Sequence, residues 1–77
     1  MDGVKLRSRI VDSLLEKVED TRFPSAELLD RVESAISTED ELAEYAEILV
    51  KKLEDTRFPS KELFDRLERI AGQLPVE

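Results

Sequence analysis

Residues 19–25, Glu-Asp-Thr-Arg-Phe-Pro-Ser, return unchanged as residues 54–60, and this repetition constrains the fold more than any other feature of the chain. Aligned with itself at an offset of 35, the chain continues to match through Glu27/Glu62, Leu28/Leu63, Asp30/Asp65, Arg31/Arg66 and Glu33/Glu68. Conservative exchanges fill the gaps, as in Val18/Leu53, Leu29/Phe64 and Val32/Leu67. Such a period is the mark of a duplicated supersecondary unit.

The unit reads as two helices. In the first, Val11, Leu14, Leu15 and Val18 follow the i, i+3, i+4, i+7 spacing of one helix face, with Ile10 beside them. This predicts a helix from about Val4 to Val18 or Glu19. Pro24 crowds the α conformation of Phe23, so the helix must end before it. Ser25 is placed to accept a free backbone N–H as the N-cap of a second helix, whose inward residues are Leu28, Leu29, Val32, Ala35 and Ile36.

After Ser37, Thr38 and Glu41 have capping-box spacing and open a third helix. Its expected stripe is Leu42, Tyr45, Ala46, Leu49, Val50 and Leu53. The second copy of the turn ends that helix, and Ser60 caps a fourth with Leu63, Phe64, Leu67, Ile70 and Ala71 inward. Gly72 suits a left-handed C′ residue, and Pro75 prevents continuation. The expected fold is all-α: a compact four-helix bundle of two duplicated helix-turn-helix (αα-hairpin) units, 4–36 and 38–72, in a single domain spanning 1–77. Glu27–Arg31, Glu62–Arg66 and Glu47–Lys51 are spaced to pair along their helices. The period resembles that of tetratricopeptide repeats in length alone. Here the prolines lie inside each hairpin, so that family's peptide binding is not carried over.

Composition narrows function by exclusion. A chain of 77 residues buries only about 60% of its unfolded surface and needs regular packing, a cross-link or self-association. It has no Cys and no His, which removes disulfides, Cys/His zinc sites and Ser–His or Cys–His catalysis. Its two glycines, Gly3 and Gly72, make no phosphate loop, and Glu39-Asp40-Glu41 lacks the spacing of a calcium loop. No enzyme activity, cofactor, metal or small-molecule ligand is expected. With no signal-peptide stretch or membrane-length apolar run, the expected location is cytoplasmic.

The net charge of −7 disfavours nucleic acid, and the basic residues Lys5, Arg7 and Arg9 read as a solvated helical turn. The leading expectation is a non-enzymatic, acidic protein-protein interaction module: an adaptor, a regulator or a self-associating domain. Ile48, Val50 and Leu6 fit their stripes poorly and are candidates for a homodimer surface. The alternative is a helix-turn-helix nucleic-acid-binding or transcription-regulatory protein, suggested by the short Ser37–Thr38 connection. Glu39, Asp40 and Glu41 at the start of the would-be recognition helix oppose it.

Within the repeated turns, Asp20, Arg22, Phe23, Asp55, Arg57 and Phe58 are the candidate partner-binding residues. The structural expectation beside this one is that each Phe folds back to plug its hairpin. Asp20 and Asp55 would then accept turn N–H groups, and the arginines would neutralise the acids or cap helix carbonyls. Acids are misplaced at helix C-termini, where the macrodipole disfavours negative charge.

Overall fold

The computed structural model describes residues 2–56 and 60–75. Its four helices are α1 (Gly3–Asp20), α2 (Ala26–Ala35), α3 (Glu39–Asp55) and α4 (Lys61–Ala71), with no strand among the described residues. Their ends follow from local chemistry. Asp2 caps α1 by accepting the Lys5 N–H at 2.8 Å. Ser25 and Ser60 accept from Leu28 and Leu63 at 3.1 and 3.0 Å. Thr38 accepts the Glu41 N–H at 3.1 Å, and the Glu41 carboxylate accepts the Thr38 N–H at 3.3 Å, completing the capping box.

Both α1 and α3 end on the threonine of the repeated segment. The Thr21 and Thr56 hydroxyls donate to the carbonyls four residues back, Lys17 and Lys52, each at 2.6 Å. Both threonines have left the helix for extended backbone. The fourth helix closes differently from the sequence expectation. Gly72 is right-handed, with φ −71 and ψ −16. Its N–H bonds back to Glu68, and Leu74 bonds to Ile70, so the last turn winds on without a left-handed residue.

The most extensive helix pairings are α1 with α2, α3 with α4, and α1 with α3. Lys52, near the end of α3, reaches the carbonyls of Glu19 and Thr21 at the end of α1 at 3.0 and 2.7 Å. The two helices therefore finish at the same end of the molecule. The core is Val11, Leu15, Val18, Leu29 and Val32 from the first hairpin, against Tyr45, Ile48, Leu49 and Ile70 from the second. No described helix is long and apolar enough to cross a membrane.

These two core sets occupy different positions of the repeat. The partners of Val11, Leu15, Val18, Leu29 and Val32 at an offset of 35 are Ala46, Val50, Leu53, Phe64 and Leu67, and none of them is buried. The partners of Tyr45, Ile48, Leu49, Arg66 and Ile70 are Ile10, Ser13, Leu14, Arg31 and Ala35, again none buried. We call the first set of positions the front of a hairpin and the second its back. Hairpin one sets its front against the back of hairpin two. A two-fold axis would bury the same positions twice, so the units are related by stacking in one direction.

Candidate functional site

The repeated turn is the first place to look. Phe23 does not plug its hairpin: its side chain is 73% exposed, and the Arg22 guanidinium carbon stands 5.4 Å from the ring centroid. An exposed cation–π contact of this kind contributes only about 0.5–1 kcal/mol. Asp20 is exposed at the end of α1 and takes no hydrogen bond from the described residues. Nor, among the described residues, does Arg22 cap a carbonyl or pair with an acid. The last carbonyls of α1 are capped by Lys52, reaching across from the other hairpin. Asp55 is exposed at the end of α3. Arg57 and Phe58 lie outside the described residues. Stacking brings Arg22 and Phe23 beside Thr56 and Ser60, around one depression of about 170 Å³ floored by Leu29 and Leu63.

A polar hub joins α2 to the second hairpin. Arg66 is buried, although its spacing predicted only a pair with Glu62 along the helix. It donates to Glu33 at 2.6 Å, Asp30 at 2.8 Å and Glu62 at 2.7 Å. Arg69 holds the other Glu33 oxygen at 2.6 Å, and the Tyr45 hydroxyl donates to Glu33 at 2.6 Å. Burial raises the Tyr45 pKa, and the hydrogen bond to Glu33 raises it further. For Arg66, burial works against the charged form, but bonding to Glu62, Glu33 and Asp30 outweighs it and the net shift is upward. Each donor in the hub is committed to a carboxylate. Tyr45 is fully buried, and the hub has the chemistry of a structural lock. Of the three expected helical pairs, Glu62–Arg66 forms. The other pair along a helix among the described residues is Lys61–Asp65 at 3.5 Å.

The sequence reading missed the front of hairpin two. Ala46, Val50, Leu53, Phe64, Leu67 and Leu74 border a shallow apolar depression of about 350 Å³ between α3 and α4. Phe64 is 48% exposed and Val50 40%. Phe64 was expected in the core, because a single stripe was assigned to each helix, and Val50 was given both to the α3 stripe and to a candidate dimer surface. Ile48, expected at a dimer surface, is instead buried against the first hairpin, while Leu6 and Val50 are exposed as expected. The signal that finds this surface is the repeat itself: a position buried in one unit and apolar in both.

Comparison with protein-family models, curated proteins and solved structures returns no match to this chain.

Proposed function

We propose that this protein is a non-enzymatic, acidic protein-interaction module, working in the cytoplasm, whose main contact surface is the front of hairpin two. One observation carries the reading: a hairpin face built for burial, with Val50, Leu53, Phe64 and Leu67 on it, has no covering element among the described residues. Contiguous apolar surface bordered by charge is characteristic of a binding site. Phe23 with Arg22 supplies a second, smaller contact of the aromatic and guanidinium type common at interface centres. Charge opposes the nucleic-acid alternative that the short Ser37–Thr38 connection suggested. Glu39 and Asp40 are exposed at the start of α3, where phosphate would be repelled.

The test is a photo-crosslinking side chain placed at Val50 or Phe64, with Asp12 and Glu44 as exposed polar controls, in the native cell. Protein adducts from the first two positions and none from the controls are expected. Equal yields from all four would refute the reading.

A further inference from the structure

The joint between the two hairpins is a template for a joint between two molecules. Its parts divide between the faces: the front supplies an apolar floor, two carboxylates and two free carbonyls, and the back supplies apolar ridges, an arginine and a lysine. In the internal joint, Arg66 of the back meets Asp30 and Glu33 of the front, and Lys52 of the back meets the Glu19 and Thr21 carbonyls.

Each of these groups recurs 35 residues away, on faces left exposed or half-buried by the described residues. On the back of hairpin one, Arg31 and Lys17 are exposed, and neither makes an ion pair among the described residues. Ile10, Leu14 and Ala35 stand beside them where Tyr45, Leu49 and Ile70 stand in hairpin two. On the front of hairpin two, Asp65 and Glu68 are exposed, and the carbonyls of Glu54 and Thr56 end α3 as those of Glu19 and Thr21 end α1.

From this we infer that the occupant of the open front is a second copy of this chain, docked head to tail by the back of its first hairpin. This rests on the reading of that face as an interaction surface and names its partner. Arg31 of the incoming copy pairs with Asp65 and Glu68. Its Lys17 caps the Glu54 and Thr56 carbonyls, and its Ile10 and Leu14 lie on Val50, Leu53, Phe64 and Leu67. The contact is heterologous, so each added copy presents a fresh front and assembly does not close at a dimer. It is weaker than the internal joint, because Ser13 stands where Ile48 packs and Ser34 where Arg69 binds Glu33.

Sedimentation of the purified chain across micromolar to millimolar concentrations tests the arrangement. The weight-average mass should climb from 8.8 kDa past that of a dimer without a plateau. Arg31→Glu disables the back, and Glu68→Arg disables the front. Both sites are exposed, so helicity by circular dichroism should be unchanged, and each variant alone should stay at the monomer mass. A second front variant, Phe64→Asp, should mix with Arg31→Glu to give a capped 1:1 dimer and nothing larger, since one intact front then meets one intact back. The double variant Arg31→Glu/Glu68→Arg should regain assembly through the reversed pair. A closed dimer that survives Arg31→Glu would overturn the head-to-tail arrangement. So would a strict monomer at millimolar concentration, and cell adducts from Val50 and Phe64 with a different protein would then leave the interaction reading standing.

Discussion

Hairpins one and two share a turn of seven identical residues and the threonine and serine caps within it, yet they bury opposite faces. In hairpin one, Leu15 and Val18 are core and Arg31 is solvated. In hairpin two, their counterparts Val50 and Leu53 line an open depression and Arg66 is the buried centre of an ion-pair hub. Sequence alike to this degree therefore does not mean environment alike. A unit that stacks in one direction needs two contact faces, one for each neighbour, and the neighbour present decides which face becomes core. This is the one-dimensional logic of repeat proteins, in which stability is a sum of units and joints.

The comparison is open to being broken by paired substitutions, measured as urea unfolding of the dilute protein. The largest contrast is expected between Leu15→Ala and Val50→Ala. The first empties a site that is 2% exposed and should cost about 3 kcal/mol, whereas the second, at the equivalent place, should cost under about 0.5 kcal/mol. Equal losses would mean that the hairpins pack symmetrically. Next come Arg66→Ala and Arg31→Ala. Removing Arg66 leaves Glu33, itself only 21% exposed, with its main cation gone, and should cost about 2–3 kcal/mol; Arg31→Ala should stay within about 0.5 kcal/mol.

Tyr45→Phe sharpens the same contrast, because Ile10 at the equivalent position has no hydroxyl. Loss of the 2.6 Å bond to Glu33 should cost about 1 kcal/mol. It should also change the alkaline limb. The Tyr45 pKa is raised above its ordinary 10.0 by burial and by Glu33, so its contribution is complete below pH 10 and is lost as pH rises beyond it. The difference in stability between the parent and Tyr45→Phe should accordingly shrink above pH 10. The smallest pair is Lys52→Met, expected to cost about 1 kcal/mol through the uncapped carbonyls of Glu19 and Thr21, against no measurable change for Lys17→Met.

Much of the fold was legible because its signals are local. Ser25, Thr38 and Ser60 open helices by side chains reaching three residues ahead, and Pro24 closes one by crowding its neighbour. The choice of face was not legible from any single helix. Its third helix carries Tyr45, Ile48, Leu49 and Lys52 on one side and Ala46, Val50 and Leu53 on the other, so apolar spacing alone fits two orientations. Assigning one stripe per helix placed Phe64 inside and Ile48 outside, the reverse of the structure. Lys52 was invisible for a related reason: its partners are backbone carbonyls in the other hairpin, which leave no trace in side-chain spacing. Gly72 suggested a left-handed cap that the tail makes unnecessary by winding on to Leu74. Of the turn residues singled out in advance, Asp20, Arg22, Phe23 and Asp55 all face solvent, and Arg22 stands over the Phe23 ring.

The 18 residues of α1 rise about 27 Å, against about 15 Å for the 10 residues of α2 beside it, so α1 overhangs its partner. Every residue from Gly3 to Ile10 on this overhang is exposed, including Lys5, Arg7 and Arg9. Helix without tertiary cover opens at little cost, and proteases cut what opens. Trypsin should therefore clip after these three residues well before it cuts within the core. Ile10 borders the last of those bonds and lies on the back of hairpin one, so the rate of that cut would also report, bond by bond, how much of this surface a neighbouring molecule shields.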